Sequence, residues 1–281
     1  MNIFLTGGTG FIGSHFINAA HQAGHNIFAI RRKNSNPKVK IIKEPFWIEG
    51  DLIGDYIEYY KKCDVLVHFA AHSANVPYDT LENCIKWNVE FSFYLIKNAL
   101  RAGIEKFLIS GSCFEYGRSG DMYEFIPPDA PLLPTQTYPT SKAMANTLFY
   151  GWGSINNLYL KILRVFQVYG EGELETRFYP SLKKAALEGK DFPMTKGEQV
   201  RDFINVTQVA KRFVKELDFS DVQAGIPFID NVGTGKPQSL REFAEYWWKK
   251  WNAKGKLKFG ELPYRENEVM RYVPLIKNDK L

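Results

Sequence analysis

The segment Thr6-Gly7-Gly8-Thr9-Gly10-Phe11-Ile12-Gly13 follows directly on the apolar run Asn2-Ile3-Phe4-Leu5. It leads into a stretch with Ile12, Phe16, Ala19, Ala20 and Ala23 on one helical face. The order strand, glycine turn, helix leaves few folds open. Without Cβ atoms the turn is tight, and its backbone can come close to a ligand. A helix opening straight out of the turn offers free N–H groups and the positive end of its dipole, which suits a phosphate. Gly8-x-Gly10-x-x-Gly13 in this setting reads as a dinucleotide-binding turn, with a tight turn holding no ligand as the lesser alternative.

The pattern beyond it alternates. The first helix runs to about Ala23, with Gly24 as its stop. Strands are predicted at Ile27–Ile30, Trp47-Ile48, Asp64–Phe69, Lys106–Ser110 and Leu160–Phe166, with a long helix over 81–102 and another containing Tyr138. The proline-rich stretch 118–137 reads as a loop. Strands alternating with helices predict an α/β Rossmann fold, a doubly wound parallel sheet. From about 170 the rhythm changes. Helices are expected at 177–188, 207–217 and 240–251, the last opening with the capping box Ser239-Leu240-Arg241-Glu242. We therefore expect a nucleotide-binding domain over 1–168 and a smaller, interleaved, mainly substrate-binding region over 169–281, with a strand near 228–231 returning to the sheet.

Composition narrows the partners. The 281 residues carry a net charge of +5, which suits an anionic small molecule and is too weak to argue for nucleic acid. Cys63, Cys84 and Cys113 have no metal-ligand spacing and are odd in number, so neither a metal site nor a disulfide framework is expected. The start lacks the features of a signal peptide, and no run approaches the roughly 18 apolar residues of a membrane span. The expectation is a soluble, cytoplasmic protein.

Tyr138 and Lys142, in Tyr-Pro-Thr-Ser-Lys, stand at i and i+4 on one helical face. A cation beside a phenol lowers its pKa, which predicts a proton-exchanging pair. Alone the motif is weak, since it also occurs on solvated helices. Its weight comes from lying downstream of a strand that ends in Ser110-Gly111-Ser112. The second strand ends in Ile30-Arg31-Arg32-Lys33, where an NAD site usually places an acid. Arginine there suits a 2′-phosphate and favours NADP over NAD. A solvated basic loop is the competing reading.

Taken together, these segments resemble an extended short-chain dehydrogenase/reductase of the NAD-dependent epimerase/dehydratase family, over nearly the whole chain. The resemblance implies cofactor contacts from Gly7, Gly10, Phe11, Ile12 and Gly13 in the glycine motif, and from Asp51 and Leu52 in Gly50-Asp51-Leu52. It implies further contacts from Phe69, Ala70 and Ala71 in His68-Phe-Ala-Ala71, and from Asn88, Ser110, Arg31 and Arg32. Ser112, Tyr138 and Lys142 match the catalytic trio, and the resemblance implies that Tyr138 and Lys142 also touch the cofactor, Lys142 at the nicotinamide ribose. Ser73, Ser112, Gln167, Arg177, Arg201 and Arg265 are the candidate contacts to a nucleotide-diphosphate sugar.

Departures from the family pattern narrow the chemistry. The 4,6-dehydratases carry Asp-Glu straight after the active-site Thr; Cys113 and Phe114 stand there instead. The 3,5-epimerases use a Cys where this chain has Phe114, so Cys113 reads as a small buried residue. Gln167 replaces a common Asn. The Cys-Phe-Glu-Tyr-Gly wording, the short length and Arg265-Glu-Asn-Glu268 most resemble reductases of 4-keto-6-deoxy nucleotide sugars, the CDP-paratose and CDP-abequose synthase type. The expected reaction is hydride transfer from NADPH to C4. The alternatives are a C4 epimerase with tightly bound NAD, and a dinucleotide-sensing protein without catalysis. The family's habit of dimerising through a four-helix bundle implies a homodimer through helices near 81–102 and 139–151, with Phe91, Tyr94, Phe149 and Trp152 at the contact. The chain ends at Asn278-Asp-Lys-Leu281, where relatives usually continue into a last helix.

Overall fold

The computed structural model describes residues 1–266 and 268–276. Asn267 of the Arg265–Glu268 stretch and the Asn278–Leu281 tail lie outside the described residues.

The first half runs β1 (Asn2–Thr6), α1 (Phe11–Gln22), β2 (Asn26–Arg31), β3 (Phe46–Glu49), α2 (Ile57–Tyr60), β4 (Val65–His68), α3 (Leu81–Ile85), α4 (Ser92–Arg101), β5 (Lys106–Ser112), α5 (Thr137–Ile155) and β6 (Tyr159–Val165). The second half runs β7 (Gln167–Tyr169), α6 (Phe178–Glu188), β8 (Phe192–Met194), β9 (Val200–Arg201), β10 (Phe203–Asn205), α7 (Val206–Lys215), β11 (Phe228–Val232), β12 (Gln238–Ser239), α8 (Leu240–Lys250), β13 (Leu257–Phe259) and β14 (Arg271–Tyr272).

Seven strands make one sheet in the order β11-β6-β5-β4-β1-β2-β3, every pairing parallel. Helices cover both faces, which is why β4 can be wholly buried and read as an unbroken apolar run. Along β1 the side chains alternate: Ile3 and Leu5 join Phe16 of α1 and Phe213 of α7 on one face, while Phe4 joins Leu95 of α4 and Phe149 of α5 on the other. The strand order reverses between β1 and β4, so a crevice opens at their carboxyl ends. β11 pairs with β6, which returns the chain to the sheet.

Two expectations need correction. The helix over 81–102 is interrupted: a wider π-helical segment, Lys86–Phe91, joins α3 to α4 and carries the buried Asn88. Of the four aromatics assigned to a subunit contact, Phe149 is core, Phe91 and Trp152 are partly buried, and Tyr94 alone is exposed. The apolar exposure on α5 is instead at Met144, Leu148, Tyr150 and Ile155. Among the described residues, no helix is long and apolar enough to cross a membrane.

Candidate active site

A cavity of about 650 Å³ opens at the carboxyl ends of the sheet. One end is built by the glycine turn. Gly7 has φ +72°, and a Cβ there would lie 2.6 Å from the Ala70 nitrogen. A Cβ on Gly13 would run into the carbonyl oxygen of Gly7. The turn can therefore close only on glycine. Gly10 caps α1 without any side-chain hydrogen bond, so the first-turn N–H groups at Phe11, Ile12 and Gly13 are left for a ligand on the cavity wall. An uncapped helix end in a glycine cradle fits a dinucleotide diphosphate.

Beneath the turn, the Thr6 hydroxyl accepts from the Ala70 N–H at 3.2 Å and meets His68 Nδ1 at 2.8 Å. His68 Nε2 lies 3.1 Å from the Ser92 hydroxyl. Burial, with Lys142 nearby, pushes the imidazole down to about 3, so His68 is a neutral brace between β1, β4 and α4.

At the far end of the turn, Arg31, Arg32 and Lys38 line the cavity. The Arg31 guanidinium lies 5.0 Å from the centre of the Trp47 ring. Neither Arg31 nor Arg32 has a carboxylate partner among the described residues. The Gly50 N–H donates to the Arg31 carbonyl at 2.9 Å and so brings Asp51 and Leu52 to the same wall.

The opposite half gathers Ser110, Ser112, Tyr138 and Lys142. Ser112 ends β5, and its hydroxyl, which accepts from the Phe114 N–H at 3.3 Å, stands near enough to the Tyr138 phenol to act on its pKa. Tyr138 and Lys142 share the buried face of α5. The expectation that Lys142 lowers the phenol is not met. Lys142 Nζ donates to the Ser110 carbonyl at 2.8 Å. Burial, reinforced by Glu115, Tyr78 and Cys113, pushes Tyr138 above the ordinary phenol value, against a lowering hydrogen bond from Ser112. Burial also pushes Lys142 down, with Glu115 opposing. Cys113 is buried and pushed up to about 12, which leaves it an inert thiol.

The remaining candidates divide. Phe69, Ala70, Ala71, Gln167 and Arg177 line the cavity. Four others are not on its wall. Asn88 receives the His72 N–H at 2.6 Å and donates to the His72 carbonyl and the Ser141 hydroxyl, so its amide is spent on bracing the loop after β4 against α5. Ser73 accepts from the Asp79 N–H at 2.7 Å and closes a turn. Arg201 pairs with Glu268 at 2.6 Å. Arg265 is exposed, close enough to Tyr78 and Arg201 to act on both electrostatically.

Residues the sequence reading missed include Lys38, His72, Trp87 and Glu173 on the wall and Glu115 behind it. Burial pushes Glu173 up to about 7 while Arg177 pulls it down across a 3.3 Å contact. Glu115 had a signal, because Ser112-x-x-Glu115 has capping-box spacing and forms one.

The family model described as "NAD dependent epimerase/dehydratase family" matches residues 3–228. The chain belongs to that family. It is an enzyme of the nucleotide-sugar epimerase and dehydratase class. UDP-glucose 4-epimerase of Azospirillum brasilense is 28% identical over 85% of this chain and 74% of its own length. The dTDP-6-deoxy-L-talose 4-dehydrogenase (NAD(+)) of Aggregatibacter actinomycetemcomitans is 24% identical over 96% of this chain and 98% of its own. Among solved structures, the UDP-N-acetylglucosamine 4-epimerase of Methanobrevibacter ruminantium, in complex with UDP-N-acetylmuramic acid, superposes with a TM-score of 0.85 at 26% identity. That match covers 99% of this chain and 91% of the other.

Proposed function

We propose that this member of the family is an NADP-dependent reductase of a nucleotide-linked 4-keto-6-deoxy sugar. The observation that carries the reading is a buried Tyr138 that keeps its proton beside Ser112, with Cys113 and Phe114 where elimination chemistry would need carboxylates. The glycine turn, Asp51, Leu52, Phe69 and Lys142 would hold the cofactor, which when bound supplies the hydride. Tyr138 gives its proton to the oxygen forming at C4, and Ser112 hydrogen-bonds the same oxygen as charge develops. Arg177, on the cavity wall, is the first candidate for the substrate diphosphate. Arg201 can join it only by leaving Glu268. On this reading residues 169–281 serve mainly the substrate, in a cytoplasmic enzyme.

The near full-length match to a 4-dehydrogenase of a 6-deoxy sugar supports redox chemistry at C4; that relative's name gives NAD(+), so the choice of NADP rests on Arg31 and Arg32. A second reading, a C4 epimerase holding NAD, is favoured by the 4-epimerases among the relatives, and needs the same three side chains. Incubation with NADPH and a panel of 4-keto-6-deoxy nucleotide sugars separates the two, because only the reductase consumes cofactor. We also propose a homodimer that covers the exposed Tyr94, Met144, Leu148 and Tyr150. Sedimentation as a single chain at micromolar concentration would contradict the dimer.

A further inference from the structure

Glu115 has no exposed surface, yet it carries a carboxylate directly behind the proposed catalytic groups. Its Oε1 accepts from the main-chain N–H of Ser112 at 2.7 Å and from Asn146 Nδ2 at 2.6 Å. Its Oε2 accepts from Arg164 Nε at 2.9 Å. Each donor belongs to a different element. Ser112 ends β5, Arg164 lies on β6, and Asn146 lies on α5, one turn beyond Lys142 and two beyond Tyr138. Arg164 is itself held by the Pro128 carbonyl at 2.8 Å and the Tyr116 hydroxyl at 3.1 Å. Gly111 completes the packing: a Cβ there would lie 2.9 Å from both Arg164 Cγ and Glu115 Oε1. The glycine of Ser110-Gly111-Ser112 is thus explained by the carboxylate behind it.

We propose that Glu115 is a positioning residue for the reaction, its buried carboxylate tying the end of β5 to α5 and so setting where Ser112 stands relative to Tyr138. The inference rests on the reading of Ser112, Tyr138 and Lys142 as the catalytic groups. A charge so close also acts on its neighbours. Tyr138 faces Glu115, Tyr78, Cys113 and the Ser112 hydroxyl, and Lys142 faces Glu115 and His68. Of these, the Glu115 charge favours the protonated form of both Tyr138 and Lys142.

The test compares Glu115→Gln, Glu115→Asp and the paired Glu115→Leu/Arg164→Met replacement with the wild type, all loaded with NADPH. Probes are 4-keto-6-deoxyglucose carried on CDP and on dTDP. Tyr138 is followed by the 13C shift of labelled tyrosine against pH, assigned with Tyr138→Phe. Glu115→Gln should lower kcat roughly 10–100-fold with little change in KM, the scale of a small misplacement of a catalytic group. Its Tyr138 titration should move to lower pH. Glu115→Asp keeps the charge and shortens the reach, so kcat should fall while the titration stays. The paired replacement removes both buried charges together and guards against a Glu115→Gln chain that fails to fold on an unpaired Arg164. It should show the same kcat loss and the same titration shift. A kcat within twofold of wild type together with an unmoved titration in the folded variants would overturn the inference. If neither probe turns over, the titrations alone decide. If Tyr138→Phe keeps its turnover, the catalytic reading itself has failed, which is a separate result.

Discussion

Lys142 Nζ donates a 2.8 Å hydrogen bond to the carbonyl oxygen of Ser110 and so joins the middle of α5 to the end of β5. The ammonium is buried on the cavity wall, and this bond fixes where its remaining N–H groups can point. Lys142→Ala should therefore reduce turnover and also weaken cofactor binding, because one side chain serves both. An unchanged cofactor dissociation constant in that variant would remove the ribose contact from the account.

Tyr138→Phe should leave cofactor affinity close to wild type and cut turnover by roughly 10²–10⁴-fold, the usual contribution of general acid catalysis. Steady-state assays alongside cofactor titration measure the two effects. A Phe variant at near-normal turnover would take Tyr138 out of the mechanism.

His68 makes the fold acid-sensitive. Its buried imidazole is pushed from 6.5 down to about 3. Between these pH values the unfolded chain binds a proton that the native one does not. Stability from this group is thus complete above pH 6.5 and is lost as pH falls, by about 1.4 kcal/mol per pH unit. Glu173, raised from 4.5 to about 7, works in the opposite sense between those values and partly masks the slope. Denaturant melts of wild type and His68→Asn isolate the effect. The difference in stability between them should narrow steadily from pH 6.5 to pH 4, and a constant difference would contradict the assignment.

Arg31 and Arg32 should set cofactor choice. With no carboxylate partner among the described residues and a place on the cavity wall, they suit a 2′-phosphate. A charge-assisted hydrogen bond contributes about 1.5–3 kcal/mol, or roughly 10–150-fold in affinity. The wild type should prefer NADPH to NADH by that range, and Arg31→Ala/Arg32→Ala should lose most of the preference through weaker NADPH binding. Equal dissociation constants in the wild type would favour the NAD-bound epimerase.

What the sequence disclosed was mostly local. The glycine turn is legible because its glycines stand at fixed spacing between a strand and a helix, and Gly13 answers a clash with the Gly7 carbonyl inside the same loop. Tyr138 and Lys142 are legible because helical spacing puts them on one face. The network behind them is not, since Glu115 meets Asn146 and Arg164 across 31 and 49 positions. Arg201 read as a free phosphate clamp for the same reason: Glu268 lies 67 positions away. Phe149 read as an interface residue because helical periodicity cannot tell an apolar face meeting a sheet from one meeting a second subunit. The pairings β7–β10, β8–β13 and β9 with β12 and β14 join strands too short for a two-residue period to be read.

The central claim, reduction at C4, is tested most directly by following cofactor and sugar together. Purified enzyme, NADPH and each 4-keto-6-deoxy nucleotide sugar of the panel would be mixed, with absorbance reporting cofactor and NMR reporting the sugar. The account predicts that at least one substrate is converted to its C4 alcohol with one NADPH oxidised per product formed. Inversion at C4 of a UDP-hexose with no net change in cofactor, and no reduction of any ketone in the panel, would contradict it.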